Sequence, residues 1–391
     1  MILLPTPPDA AIARSFSRRL ALFYGAVFAC FGAHLPFFPL WLSASGLDAQ
    51  GIGLALALPV AARLAAVPLV TRLADRRHAL RGFIRALVVL TLVGMVLTGL
   101  APGPVAIVAV FTVTAAAWGP VLPLTDAYAL RGVRRHRIDY GPIRLWGSAA
   151  FVAGAVGAGF LSDAIAGRHL IWVIVAAALV GAGTSFLLEP VDDGSLATVP
   201  APPAKLLWRL PALWLVAAAA ALVQGSHAGY YSFSAVMWRA EGWSGTTISA
   251  LWSAGVLAEI VLFALSPRLD LTPRVWLALG AAGALARWLV MTTQPPLSVI
   301  GVAQLLHALS FGATHLGTMG LMARLVPSGL TATAQGFLAL LSGSAMALAS
   351  VFAGLLYAPD GRWVYALMLA MAAAALTVLA LGWRRLALAP D

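Results

Sequence analysis

Long apolar runs alternate with short polar segments along the chain, and the length of the runs predicts what they form. Each of twelve runs has about the 20 mostly apolar residues with which an α-helix crosses a bilayer. Proline and glycine inside several runs are tolerated where neighbouring helices satisfy the freed backbone groups. The predicted spans are 19–43, 51–70, 82–100, 105–130, 140–161, 169–188, 210–237, 246–265, 275–292, 297–321, 331–357 and 363–382.

The composition excludes the soluble classes of protein. Hydrophobic residues make up 61% of the 391 residues and charged residues 10%, whereas a soluble domain has about 25% charged residues. The same apolar excess excludes disorder, and the single cysteine, Cys30, excludes a disulfide framework or a cysteine zinc site. We therefore expect an all-α integral membrane protein.

Basic residues are distributed unequally between the two sides of the predicted bundle. Of the 25 Lys and Arg residues, 18 lie in segments on the side of the two termini, three on the other side and four inside runs. Since basic loops stay in the cytoplasm, both termini are expected there, in a multi-pass protein of a bacterial inner membrane. The net charge of +11 does not indicate a nucleic-acid partner, because no polar face combines basic and aromatic residues.

A polar, proline-rich segment divides the runs into two sets of six. The predicted organisation is an N-terminal six-helix bundle at 1–190, a cytoplasmic linker at 191–204 and a C-terminal six-helix bundle at 205–391. The loop at 71–81 and the matching loop at 266–274 both contain Arg-Leu and an Asp. This weak internal similarity agrees with a repeat of six plus six helices.

Ionisable side chains inside membrane helices are costly and mark functional pathways. At a rise of about 1.5 Å per residue, Arg63, Glu259, Arg287 and His307 lie near the midplane, which is the depth at which secondary transporters in general bind their substrates. Two or three Arg and several aromatic rings, among them Trp252 on the same helix stripe as Glu259, suit an aromatic or otherwise apolar carboxylate. The remaining ionisable candidates inside spans are His34, Asp126, Arg144, His227 and His315.

Three motifs resemble a known family. FGAHLPFFPLWL at 31–42 and DYGPIRLWGS at 139–148 are similar to the first and fifth spans of lactose permease and of the phenylpropionate permease-like branch. HALSFGATHLGTM at 307–319 is similar to the tenth span of that branch. The resemblance implies the major facilitator fold, with twelve transmembrane helices in two six-helix bundles.

The loop between the second and third runs resembles the major facilitator signature in part. Asp75 and Arg76 match it, whereas Thr71 and His78 stand where the family has glycine. The resemblance implies that Asp75 and Arg76 form a cytoplasmic gate between the halves. The alternative is a basic loop that serves only to set orientation.

The resemblance also implies a site. The carboxylate and Arg on the fourth and fifth spans of lactose permease are matched by Asp126 and Arg144, which form one wall of a central cavity. Lactose permease also has a Glu on its eighth span, an Arg on its ninth and a His on its tenth. The resemblance implies that Glu259, Arg287 and His307 match them and form the other wall. Where lactose permease has the acid that drives its cycle, this chain has Ser310, so proton coupling is expected through Glu259, Asp126 or His307.

Four further residues are candidates for substrate contact, namely Arg63, His34, His227 and Trp252. Each has a structural alternative, since a buried Arg can form an ion pair and a buried His or Trp can serve packing alone. The same alternative applies to Asp126 with Arg144 and to Glu259 with Arg287.

The leading hypothesis is a proton-coupled symporter for uptake of a small organic solute such as an aromatic carboxylate, working by alternating access. A sugar or nucleoside symporter and a drug–proton antiporter are the alternatives on the same fold. Motifs of hydrolases, zinc proteases and phosphate loops are absent, so no enzyme, cofactor or metal is expected. The expected partners are the lipid bilayer, the substrate and the proton, with the chain as a monomer.

Overall fold

The protein is built from α-helices, and in a computed structural model twelve spans are long and apolar enough to cross a membrane. The structure describes residues 10–77, 79–191, 204–327, 330–357 and 361–387, which contain no strand. For this part of the chain, the predicted all-α class and number of spans are confirmed. In chain order the spans are α1 (Ala10–Ala44), α2 (Ala49–Arg76), α3 (Leu80–Leu100), α4 (Pro104–Trp118 and Val121–His136), α5 (Tyr140–Ala164), α6 (Leu170–Ser185), α7 (Pro211–Gly225 and Ala228–Ala240), α8 (Gly245–Leu265), α9 (Pro273–Thr292), α10 (Leu297–Leu305, Ala308–Ala313 and Thr314–Leu325), α11 (Thr331–Leu356) and α12 (Arg362–Ala387).

Three spans that the sequence predicts as continuous helices are interrupted. In α4 the break precedes Val121 at Pro120, which has no backbone N–H to continue the helical ladder. In α7 it lies at Ser226 and His227. In α10 the segment Ala308–Ala313 is a π-helix, a distortion that often occurs at functional sites. All three interruptions belong to spans that carry predicted site residues.

Several helices extend beyond the apolar runs that predict them. The first begins at Ala10 rather than 19, α2 continues to Arg76 rather than 70, and α4 continues to His136 rather than 130. The added turns are rich in Arg, whose long side chains keep their charge in water while the backbone remains helical. Apolar length alone therefore underestimates these helices.

The first six and the last six spans each form a bundle. In the first, α1 packs on α5 and α6, while α3 packs on α4 and α6; in the second, α7 packs on α11 and α12, while α9 packs on α10 and α12. The bundles meet through α2 with α11, α5 with α8 and α1 with α7. Most of the predicted linker at 191–204 lies outside the described residues.

The end of the molecule with the arginine-rich connections after α2 and α4 is here named the basic end, and the other the opposite end. Close packing between the bundles at the opposite end depends on glycine. A Cβ on Gly53 of α2 would lie 2.7 Å from the carbonyl oxygen of Ser350 in α11, and one on Gly354 would lie 2.6 Å from that of Ala49. Small residues let membrane helices approach this closely, so α2 and α11 are in contact at this end.

Candidate functional site

A cavity of about 300 Å³ lies between the two bundles and is lined by both of them. The first bundle provides charge through Arg144 and the second through Glu259 and Arg287, with His307 beside them. A cavity therefore lies between the halves, with an Arg from each half and a carboxylate from the second half. The remaining lining residues are mostly aromatic or apolar, namely Phe28, Leu35, Ser148, Phe151, Tyr230, Tyr231, Trp252, Gly255, Val256 and Phe311.

Arg144 enters the cavity from the first helical turns of α5. Its guanidinium carbon lies 4.0 Å from the ring centre of Phe28 and 5.7 Å from that of Tyr24. These cation–π contacts hold the side chain without neutralising it. No carboxylate lies within ion-pair distance of Arg144 in the described part of the chain.

Arg287 on α9 is the most deeply buried charge at the cavity, with 1% of its surface exposed. Its Nη2 donates to Oε1 of Gln304 at 2.5 Å, and its Nη1 donates to Nδ1 of His307 at 3.0 Å. The guanidinium carbon lies 4.6 Å from the ring centres of both Tyr230 and Trp288. Its Nε has no hydrogen-bond partner, and among the described residues no carboxylate pairs with it. Arg287 is thus positioned by neutral groups only.

His307 connects Arg287 to Glu259. Because an Arg guanidinium can only donate, Nδ1 of His307 accepts, and the neutral imidazole then carries its proton on Nε2. That Nε2 lies 3.6 Å from Oε2 of Glu259. The three side chains form an ordered series in which each donor faces the next acceptor, ending at the carboxylate.

Asp126 does not line the cavity, contrary to the expectation that it shares a wall with Arg144. Its Oδ1 accepts hydrogen bonds from the hydroxyls of Tyr24 at 2.6 Å and Tyr140 at 3.0 Å. Tyr24 in turn lies under the guanidinium of Arg144. Asp126 therefore reaches the cavity only through a tyrosine, since α4 is rotated toward α1 and the start of α5.

His227 is fully buried behind the cavity and is absent from its lining. Its Nδ1 lies 2.9 Å from the carbonyl oxygen of Val223, and its Nε2 lies 3.1 Å from the hydroxyl of Ser310. A carbonyl only accepts, so Nδ1 carries the proton and Ser310 donates to Nε2. The histidine joins the break in α7 to the π-helical segment of α10.

His34 and Arg63 are also outside the cavity lining. The His34 ring stacks on Phe38, with ring centres 4.5 Å apart, and meets Trp118 edge-on at 4.7 Å. The stem of Arg63 crosses Gly119, where a Cβ would lie 2.6 Å from its Cγ. Both side chains thus belong to the packing of α1 and α2 against the break in α4.

Trp252 lies in the cavity wall, as predicted. Its ring centre is 4.7 Å from that of Tyr230 and 5.6 Å from that of Tyr231. Its Nε1 has no hydrogen-bond partner in the described structure. A stacked aromatic group with an unused donor is suited to hold a flat ring that carries a polar substituent.

The predicted gate residue Asp75 forms an ion pair inside one half. Its Oδ1 lies 3.0 Å from Nη2 of Arg131 on α4. The Asp75 side chain is 61% exposed, so this contact is screened by water. A contact of Asp75 or Arg76 between the halves stays a prediction.

A carboxylate that the sequence analysis did not single out joins the bundles at the opposite end. Asp163, near the end of α5, accepts from the backbone N–H groups of Gly245 and Thr246 at the start of α8 and from Nη1 of Arg239 on α7. The one feature of the sequence that could have indicated Asp163 is that it is an acidic residue at the end of a span with few acids. Among the described residues, no group of three His, Cys, Asp or Glu side chains is arranged to hold a metal ion.

Comparison with known proteins assigns the family. The model of the MFS_1-like family matches residues 17–367. The chain belongs to the MFS_1-like family. A relative, the probable 3-phenylpropionic acid transporter of Escherichia coli (strain K12), is 33% identical over 364 residues, covering 90% of this chain and 95% of the relative. Maltose permease of Geobacillus stearothermophilus is 28% identical over 318 residues, covering 80% of each chain.

Solved structures agree with this MFS_1-like assignment at the level of fold. The nucleoside transporter NupG aligns with a TM-score of 0.80 at 13% identity, covering 95% of this chain and 99% of the other. The D-xylose-proton symporter aligns with a TM-score of 0.65 at 12% identity, covering 95% of this chain and 97% of the other. The predicted major facilitator fold is confirmed, and the protein is a multi-pass membrane transporter rather than an enzyme.

Proposed function

We propose that this transporter takes up a small aromatic carboxylate together with protons across a bacterial inner membrane. The observation that carries the proposal is Arg287, a fully buried cation at the cavity with no carboxylate partner among the described residues. A buried charge without a counter-ion is costly, and a bound anion would remove that cost. The E. coli relative, named for 3-phenylpropionic acid, independently favours an acid with an aromatic ring.

The charge distribution of the cavity favours an anion over a neutral solute. Among the described residues, Arg144 and Arg287 face the cavity with a single carboxylate, Glu259. An anionic substrate balances the remaining positive charge, whereas a sugar or a nucleoside leaves it uncompensated. A cationic drug would add to it, so antiport of such a drug is disfavoured.

Proton coupling follows from the closeness of the substrate site to Glu259. A substrate carboxylate that binds beside Arg287 adds negative charge near Glu259, which favours the protonated form of that side chain, and Glu259 then takes up a proton. His307, with Nε2 facing Glu259 at 3.6 Å, can pass that proton on or share it. Binding of the anion and of the proton thereby become mutually dependent, which is the requirement for symport.

Alternating access in this proposal uses the two bundles as moving bodies. We take the basic end as cytoplasmic, because Arg-rich connections stay inside. The contacts of Asp163 with the start of α8 then close the outer side, and the described conformation is the one that serves release to the cytoplasm. The proposal assigns transport to a monomer.

A ligand panel tests the proposal. Purified protein is heated with 3-phenylpropionate, its neutral amide, maltose, a nucleoside or a cationic drug, since a ligand of the native state raises its melting temperature. Stabilisation by the acid alone, followed by proton-dependent uptake into proteoliposomes, is the expected result. Stabilisation by maltose or the nucleoside, without any effect of the acid, would reject the proposal and indicate a sugar or nucleoside transporter.

A further inference from the structure

Gln304 is a fully buried polar residue of α10 whose orientation is set by both of its neighbours. Its Oε1 accepts from Nη2 of Arg287 at 2.5 Å, and its Nε2 donates to the carbonyl oxygen of Ile300 at 3.3 Å. A guanidinium can only donate and a carbonyl oxygen can only accept. The amide therefore has one possible orientation, with its oxygen toward the cation.

Gln304 holds Arg287 without neutralising it. The other contacts of Arg287 are Nδ1 of His307 and the rings of Tyr230 and Trp288, all of which are uncharged. A Glu at position 304 would have the same size and the same acceptor position, and it would form a charge-assisted pair with the guanidinium. The amide thus fixes the direction of Arg287 and leaves its charge available to a ligand.

The same contact determines the orientation of the next side chain. With Nη2 on Gln304, the planar guanidinium directs Nη1 at Nδ1 of His307. His307 then presents the proton on Nε2 to Glu259. The amide oxygen of Gln304 therefore sets the orientation of the series formed by Arg287, His307 and Glu259.

We propose that Gln304 is a positioning residue that directs Arg287 toward bound substrate through a neutral acceptor, so that the uncompensated charge of Arg287 keeps the cavity selective for anions. This inference rests on the proposed function, because it assigns a cause to the preference for a carboxylate. It also makes a claim about the protein without ligand, namely that Arg287 lacks a counter-ion and that a carboxylate at position 304 would supply one.

The test compares three variants in the purified full-length protein. Gln304→Glu adds the counter-ion, Gln304→Met removes the acceptor at similar size, and Gln335→Glu makes the same chemical change at an exposed position of α11. Calorimetry measures the affinities for 3-phenylpropionate and for 3-phenylpropionamide, and the ratio of the two is the readout. A loss of packing alone lowers both affinities and leaves the ratio unchanged.

We expect Gln304→Glu to lower the affinity for the acid by at least about tenfold, which corresponds to about 1.4 kcal/mol, with little change for the amide. Gln304→Met weakens binding but keeps the preference for the acid, since the cation remains. Gln335→Glu behaves as wild type. An unchanged ratio in Gln304→Glu, or a loss of preference in Gln304→Met, overturns the inference.

Melting temperatures without ligand separate this inference from the proposed function. Gln304→Glu should melt above wild type and Gln304→Met below it, because one adds a partner for Arg287 and the other removes one. If wild type binds no aromatic acid, the proposed function fails, and this order of melting temperatures still supports Gln304 as the neutral support of an uncompensated cation. A Gln304→Glu variant that melts at or below wild type overturns it.

Discussion

Asp163 in α5 and Gly245 at the start of α8 join the two bundles through a hydrogen bond of 2.6 Å from the Gly245 backbone N–H to Oδ1. The same carboxylate accepts from the backbone N–H and the hydroxyl of Thr246 at 3.0 and 2.9 Å, and from Arg239 at 3.1 Å. A carboxylate is well placed at a helix N-terminus, where free N–H groups and the helix dipole favour negative charge. Since the bond crosses between the bundles, it must break before the opposite end can open.

The first prediction is that Asp163→Ala shifts the protein toward opening at the opposite end. Hydrogen bonds to a charged group contribute about 1.5–3 kcal/mol each, so the open population should rise about tenfold or more. The measurement is the rate at which an impermeant maleimide, added from that side, labels Leu35→Cys in the cavity wall in a Cys30→Ser background. Asp139→Ala, which removes an exposed acid at the other end of α5, is the matched control and should leave the rate unchanged. Equal labelling rates in Asp163→Ala and the control would show that Asp163 does not hold the opposite end closed.

The second prediction concerns Arg287. Arg287→Gln should lower the affinity for 3-phenylpropionate about 100-fold, because a buried charge-assisted contact is lost. The affinity for the neutral amide should change much less. Arg287→Lys should not restore binding, since an ammonium cannot bond Gln304 and His307 in one plane. Retention of acid binding by Arg287→Gln would place the anion elsewhere.

The third prediction concerns Arg144, the charge contributed by the first bundle. Arg144→Ala should abolish uptake while the protein stays folded, because its guanidinium rests on the rings of Phe28 and Tyr24 and forms no ion pair with any described residue. Initial uptake rates in proteoliposomes measure the effect, and the melting temperature confirms folding. Normal uptake by this variant would reject the assignment of Arg144 to the substrate site.

The fourth prediction separates the proton from the substrate. Glu259→Gln cannot exchange a proton, so addition of substrate should no longer change the pH inside proteoliposomes, whereas exchange of labelled for unlabelled substrate across the membrane should persist. A dye enclosed in the vesicles reports the pH. A pH response of wild-type size in this variant would assign the proton to Asp126 or another group.

The fifth prediction tests whether Asp126 contacts substrate or supports the site. Asn at this position keeps an oxygen that accepts from Tyr24 and Tyr140, so Asp126→Asn should change the affinity for the acid by less than about threefold. Tyr24→Phe should have a larger effect through Arg144, which lies over that ring. A loss of binding in Asp126→Asn with unaltered stability would show direct contact.

The sequence by itself determined the membrane class, the twelve spans and the division into six and six. It also indicated which charged residues inside spans are candidates for the site. These properties follow from counting, because a membrane helix needs a minimum apolar length and an ionisable residue in a span stands out against 10% charge overall. It also indicated Arg144, Trp252, Glu259, Arg287 and His307, all of which line the cavity.

Only the tertiary structure decided which polar groups meet. Spacing along one helix determines depth and face, but the rotation of α4 toward Tyr24 and of α7 toward Ser310 depends on contacts between residues distant in sequence. For that reason Asp126 and His227 are engaged by neighbouring side chains behind the cavity wall. Gln304 is uncharged and Asp163 lies at a span end, so neither stands out in composition, and their importance comes from the partners that the folded bundles bring to them.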